Sequence, residues 1–289
     1  MYSAIAANKR NTILIMGFFL VLIAGLGYIA SFRYGMGVFW GTLIGAGIYT
    51  IIQYFVAAKM ALALNGASEI KKSDNPRLYR IVENLSITTG MPMPKVYVID
   101  DPAPNAFATG RDPEHAYVAA TTGIIDMLDD RELNAVMAHE MGHVKNYDIR
   151  VMMIVFGLVS AIGLIADLLL RMSFFGGSDN RDRSPIFLIL GIVAALITPI
   201  IAMLIQAAIS RQREYLADAT GALTTRDPEA LASALTKIGA AGSVMQRQNS
   251  STAHLFFANP LKGGITKAFS THPPIEQRIA RLQANIEKM

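Results

Sequence analysis

The sequence predicts a membrane α-helical protein with four transmembrane helices and an α+β domain outside the bilayer. The composition is the first reason, because 52% of the 289 residues are hydrophobic and only 17% are charged, against about 25% charged in ordinary soluble domains. The second reason is that apolar residues are concentrated in four blocks, each near the roughly 20 residues with which a helix crosses a bilayer. The third is that the stretches between and after these blocks show ordinary helix and strand patterns.

The four apolar blocks are expected to form two hairpins. Residues 1–64 would form the first, with spans at about 13–30 and 37–58, and residues 151–209 the second, with spans at about 151–170 and 186–209. A cleaved signal peptide is the alternative reading of the first block. Its apolar core is longer than the usual 7 to 15 or so residues, however, and a second block follows at once.

The positive charges beside the spans predict their orientation. Lys9 and Arg10 precede the first span and several lysines and arginines follow the second, whereas the loop between them contains only Arg33. Because short cytoplasmic flanks carry the excess of Lys and Arg, we expect both flanks and both termini in the cytoplasm.

Residues 65–150 are expected to form the first cytoplasmic part of the domain. Asn75 and Pro76 predict the start of a helix and Gly90 its end. The segments "KVYVID" and "AYVAATTG" predict strands, with a further short strand in "NAFATG" between them. Asp129 or Asp130 would begin a second helix.

Residues 210–289 are expected to form the second cytoplasmic part. A helix is predicted in "DPEALASALTKIG", and another after "THPP". The apolar face of the last helix would contain Ile275, Ile279, Leu282 and Ile286. Residues 241–270 lack periodicity and are rich in Gly, Ser, Gln and Asn, so they predict either a functional loop or disorder.

The segment "AHEMGH" has the spacing of a metal site on a helix. His139 and His143 are four positions apart, so they share one face, about 6 Å apart along the axis, and can bind one cation. Glu140 lies about 100° round the helix, beside the metal, where a general base takes a proton from metal-bound water. The chain has no cysteine, so any metal must be held by imidazole and carboxylate groups. Two exposed histidines on an ordinary helix are the alternative.

The third ligand is expected after the fourth span, because a hairpin returns the chain to the side of the membrane on which it started. There "SRQREYLADAT" offers Glu214 as the first carboxylate. Asp218, one helical turn later, can orient a ligating histidine by accepting its ring N–H. The alternative is a solvated acidic face beside Arg211 and Arg213.

"HEMGH", "EYLAD" and "HPP", in this order and with four spans, resemble the HtpX group of membrane-bound zinc metallopeptidases in peptidase family M48, relatives of the CAAX prenyl endopeptidase Ste24. The resemblance covers nearly the whole chain. It implies a zincin-like catalytic domain with one zinc ion, held by His139, His143 and Glu214, and Glu140 as the base.

The resemblance also implies roles outside this set. His272 would contact the substrate or the transition state, and Arg278 would pair with an acidic group such as Asp218. His115 and His254 match no motif and are expected to be surface histidines.

In function, the resemblance implies a multi-pass zinc endopeptidase of the bacterial cytoplasmic membrane that acts in stress response and membrane protein quality control. Its partners would be peptide and protein substrates, especially misfolded membrane proteins, and the lipid bilayer. The net charge of +4 comes without a basic helix, so nucleic acid is not an expected partner.

Three other functions are compatible with parts of the sequence. An intramembrane protease would carry the His-Glu-x-x-His pattern inside a span, but charged residues bracket it here. A prenyl-peptide processing enzyme shares the chemistry, although four spans are few for a large transmembrane chamber. A transporter or scaffold with structural zinc would need four protein ligands.

One further expectation concerns substrate binding. The small-sided segment 105–109 precedes the motif helix, and we expect it to be an exposed sheet edge that pairs with the main chain of the substrate. An ordinary turn between two strands is the alternative.

Overall fold

The computed structural model describes residues 2–158, 160–161, 211–242, 244–247, 252–260 and 273–286. Two long helices begin the chain, α1 (Tyr2–Tyr34) and α2 (Met36–Leu64), and they pack against each other. Gly35 separates them at φ 83°, a left-handed conformation that only glycine adopts at little cost.

These two helices have the length and composition of membrane spans, over Ile5–Tyr28 and Met36–Leu64. The first two predicted spans therefore correspond to long apolar helices, and both helices extend beyond their predicted ends. Large apolar side chains such as Ile13, Val21 and Ile44 are 60% or more exposed, which suits helices that face lipid.

The third predicted span is described only in part. Residues 148–158 and 160–161 are helical, and Val151, Met153 and Phe156 are buried there. The remainder of this span, and all of the fourth at 186–209, lie outside the described residues. The arrangement of four spans therefore stays a prediction.

A four-stranded sheet follows the first hairpin. Its strands are β1 (Ala67–Glu69), β2 (Lys95–Ile99), β3 (Ala106–Gly110) and β4 (Ala116–Thr121), in the order β1-β2-β4-β3. β2 and β4 are parallel, and the other two pairs are antiparallel. β2, β3 and β4 agree with the predicted strands, whereas β1 was not predicted.

The helices between these strands and the motif have the caps that the sequence predicts. Asn75 accepts a hydrogen bond from the amide of Leu78 at the start of α3 (Pro76–Thr89), and Gly90 ends that helix in the left-handed conformation. After the short α4 (Thr122–Met127), Asp129 and Glu132 form a reciprocal capping box at the start of α5 (Asp130–Lys145).

Three helices complete the described domain. They are α6 (Arg211–Thr225), α7 (Pro228–Ala241) and α8 (Ile275–Ile286). Helix α5 packs against α6, α7, α3 and β3, while α8 packs against α7 and α6. The motif helix α5 is therefore the centre of the domain, covered by the sheet on one side and by the C-terminal helices on the other.

Candidate active site

The motif residues lie deep inside the domain. His139, Glu140 and His143 on α5 are 1%, 2% and 5% exposed. Helix α6 approaches α5 closely because it presents Gly221 to the backbone of His139, where a Cβ would lie 3.0 Å from the amide nitrogen. This close approach brings the acidic side chains of α6 to the histidines.

Three side chains converge on one point. The Nε2 atoms of His139 and His143 are 3.1 Å apart. The carboxylate oxygens of Glu214 on α6 lie 3.5 Å from Nε2 of His143 and 3.9 Å from Nε2 of His139. The structure thus brings together the three residues that were predicted as ligands.

This geometry fits a metal ion. Four ligands placed tetrahedrally at about 2.0–2.2 Å from zinc are about 3.3–3.6 Å from one another, and the distances of 3.1, 3.5 and 3.9 Å lie around that value. Two imidazoles and one carboxylate also leave a fourth position for water or substrate, as in catalytic zinc sites. The donor set is therefore one that can bind a catalytic metal.

The other ring nitrogen of each histidine faces a carboxylate. Nδ1 of His139 lies 2.9 Å from an oxygen of Asp218, and Nδ1 of His143 lies 3.1 Å from an oxygen of Asp148. With the ring proton on Nδ1 in each case, both Nε2 lone pairs face the same point. Carboxylates that orient ligating histidines in this way are the usual outer partners of a metal site.

Arg278 closes the site from α8. It is 1% exposed and donates two hydrogen bonds to Asp218, from Nε at 2.9 Å and from Nη2 at 2.6 Å. Its Nη1 lies 3.8 Å from Glu214. The pairing of Arg278 with Asp218 that the resemblance implied is thus present, and it balances a buried charge.

Burial and neighbouring charges act differently on the two histidines. Burial outweighs the hydrogen bond to Asp218 and lowers the pKa of His139 to about 4. Burial also acts on His143, but its hydrogen bond to Asp148 and the charge of Glu214 prevail and raise its pKa to about 9. The surroundings of His143 therefore favour a positive charge at this point of the site.

The pKa of Asp218 is low despite its burial. Burial favours the neutral acid, but the charge of Arg278 and the hydrogen bond to His139 outweigh it and lower the pKa to about 2. Asp218 is therefore ionised at neutral pH and can hold the ring of His139 by its Nδ1–H.

Some predicted positions differ from the structure. His254 was expected at the surface but is 3% exposed, and its Nε2 lies 3.1 Å from the carbonyl oxygen of Met152, so that prediction is wrong. His115 is exposed and pairs with Asp112. His272 lies outside the described residues, so its role stays a prediction.

The contact of Asp148 with the ring of His143 was not predicted from the sequence. A carboxylate five residues after the second histidine is visible in the sequence, but α5 ends at Lys145 and Tyr147 has φ 61°. Helical spacing therefore does not predict the position of Asp148 relative to His143. The side chain points back to the ring because the chain turns at Tyr147.

Strand β3 is the edge of the described sheet, as expected, but it is not exposed. All five of its residues are buried, and Phe256 forms a β-bridge with Phe107. The amide of Phe257 donates to the carbonyl of Ala106, and the ring of Phe257 lies 5.0 Å from that of His139. Part of the long segment 241–270 thus covers this edge beside the candidate ligands.

The part of the chain that forms this site matches the model of Peptidase family M48 over residues 72–286. The chain belongs to Peptidase family M48. The similarity extends through both N-terminal helices in proteins described as "Protease HtpX homolog". That of Tropheryma whipplei strain Twist is 56% identical over 284 residues, which cover 98% of both chains.

A second such protein, from Dictyoglomus thermophilum, is 43% identical over 286 residues, covering 98% of this chain and 94% of its own. Among solved structures, Ste24p of S. mikatae has the same fold with a TM-score of 0.53 at 18% identity, covering 98% of this chain and 67% of that one. This M48 peptidase is thus a metalloendopeptidase, and its two long apolar helices indicate a membrane-bound one.

Proposed function

We propose that this M48 peptidase uses one zinc ion to hydrolyse peptide bonds of membrane or membrane-associated proteins at the cytoplasmic face of the bacterial membrane. The observation that supports zinc best is the convergence of His139, His143 and Glu214 on one point. A bound zinc ion supplies Lewis acidity and lowers the pKa of a water molecule toward about 7.

The buried residues around this point have separate roles in the proposal. Glu140 takes the proton of the attacking water at its carboxylate and passes it to the leaving amine. Asp218 and Asp148 hold the two imidazole rings by their Nδ1 atoms. Arg278 stabilises the ionised form of Asp218, with a hydrogen bond to each of its oxygens.

The position of the site supports a membrane substrate. Helix α5 ends at Lys145, and helical, largely buried residues continue from 148 to 158. The site is therefore joined directly to the start of the third predicted span, where chains that leave the bilayer would reach it. We include in the proposal a role in membrane protein quality control and stress response, with misfolded membrane proteins as substrates, which is what the resemblance to the HtpX group implies.

The proposal is tested on the full-length protein in detergent. We expect about one zinc ion per chain and casein cleavage that a chelator abolishes and added zinc restores. A chain with zinc but no cleavage under any condition would favour a structural metal site. A zinc-free protein that still cleaves casein would contradict the metal assignment.

The proposed orientation of the protein in the membrane is tested by cysteine labelling. The sequence has no cysteine, so an introduced cysteine is the one labelled position in the chain. A cysteine at Lys71 should react with a membrane-impermeant maleimide only after the cells are opened. A cysteine at Ser178, in the predicted loop between the third and fourth spans, should react on intact spheroplasts. If Ser178→Cys is labelled only from the cytoplasmic side, the four-span topology is wrong.

A further inference from the structure

The first turns of helix α1 reach the candidate active site. Asn8 is 3% exposed, and its Nδ2 donates hydrogen bonds to Oδ1 of Asp148 at 2.6 Å and to the carbonyl oxygen of Asn146 at 2.8 Å. One turn later, the hydroxyl of Thr12 donates to the carbonyl of Asn8. Lys9 lies 4.7 Å from the centre of the Tyr147 ring. Consecutive residues of α1 therefore contact the turn that follows α5.

Asp148 is the link between Asn8 and the candidate metal. One of its oxygens lies 3.1 Å from Nδ1 of His143, and the other accepts from Asn8. Asp148 is 1% exposed, so water does not compete for these hydrogen bonds. Because the contact at Nδ1 holds the ring of His143 with its Nε2 toward Glu214, a change in the orientation of Asp148 is expected to disturb the ligand.

Asparagine is well suited to this position. Its amide nitrogen has two N–H donors. In this structure one donates to the carboxylate of Asp148 and the other to the carbonyl oxygen of Asn146. Aspartate has nearly the same shape but lacks these donors and would repel Asp148. Alanine would leave one oxygen of a buried carboxylate without the hydrogen bond that Asn8 gives it.

We propose that Asn8 is a positioning residue for the metal site, so that α1 contributes to catalysis as well as to membrane attachment. This inference rests on the proposed zinc-dependent function. It makes the start of α1 a support of the active site, because Asp148, which contacts the ligand His143, is held by a residue 140 positions before it in the chain.

The experiment compares Asn8→Ala and Asn8→Asp with Asn11→Ala, a matched change one turn further along α1. Full-length variants in detergent are measured for zinc affinity by chelator competition, for the absorption spectrum of bound cobalt, and for thermal unfolding. We expect both Asn8 variants to bind zinc up to about tenfold more weakly, with an altered cobalt spectrum, because Asn8 acts through Asp148, and loss of an outer partner such as Asp148 costs about 10–100-fold in metal affinity. The value of kcat should fall with little change in KM, and Asn11→Ala should match the wild type.

A double-mutant cycle separates this role from simple packing. If Asn8 acts through Asp148, Asn8→Ala should weaken zinc binding in the native background but add little in an Asp148→Ala background. Additive losses would overturn the inference, as would Asn8 variants with the zinc affinity and cobalt spectrum of the wild type. A wild-type protein that binds no metal would overturn the proposed function itself. That result differs from a wild type that binds zinc and is active, with Asn8 variants of equal zinc affinity and activity, which would overturn only the role of Asn8.

Discussion

Replacing Glu140 with Gln is expected to reduce peptide hydrolysis by at least about 10²-fold, the lower end of the range for general acid–base catalysis, with zinc content unchanged. Glu140 is 2% exposed and follows the ligand His139, but it is not one of the three residues whose ligand atoms converge. Gln keeps the size of the side chain and removes its ability to accept a proton. The change therefore affects the proton transfer and not the metal.

Casein cleavage and zinc content are measured for Glu140→Gln and for a control, Glu229→Gln. Glu229 is exposed in the first turn of α7. The control should have wild-type cleavage and wild-type zinc. Two outcomes would show that the assignment of Glu140 is wrong. One is cleavage near the wild-type rate, and the other is loss of zinc, which would make Glu140 a ligand.

Much of the fold could be predicted because its signals are local. Asn75 and Gly90 mark the ends of α3 within one segment, and Asp129 and Glu132 form their capping box three positions apart. The spacing of His139 and His143 needs only helix geometry. Glu214 lies 71 positions after His143 in the sequence, but the predicted hairpin of spans narrowed the search for the third ligand, and both the position of Glu214 as the first carboxylate after that hairpin and the resemblance to the HtpX group pointed to it.

The contacts that were missed depend on tertiary structure. Strand β1 has only three residues, and they are a strand because they pair with β2. The burial of His254 comes from its contact with the carbonyl of Met152. Asp148 faces His143 because the chain turns at Tyr147, in a conformation that a periodic pattern does not reveal. No local pattern predicts a contact with a residue as distant as Asn8.

The second large effect is expected at Glu214, whose replacement by Ala should weaken zinc binding by more than the roughly 10–100-fold that an outer partner of a metal ligand contributes. Its carboxylate is the third group at the point where the two Nε2 atoms meet. With two imidazoles alone, the ion would lose both a ligand and the negative charge that offsets its own. Cleavage of casein should be lost together with the metal.

The informative control is Asp218→Ala, because both acids are buried on the same face of α6. Asp218 contacts Nδ1 of His139, on the opposite side of the ring from the Nε2 that faces Glu214. Its two oxygens also accept from Arg278. We therefore expect Asp218→Ala to weaken zinc binding less than Glu214→Ala, within the range for an outer partner.

Chelator competition measures the zinc affinities of the wild type, Asp218→Ala and Glu214→Ala, which we expect to decrease in that order. Glu214→Asp gives a further check, since it keeps the charge but shortens the side chain by one methylene. Its zinc affinity should lie between those of the wild type and Glu214→Ala. If Glu214→Ala instead binds zinc as the wild type does and Asp218→Ala does not, Asp218 is the third ligand. In that case the ring of His139 must turn to present Nδ1 to the metal, and the orientation of the site described above is wrong.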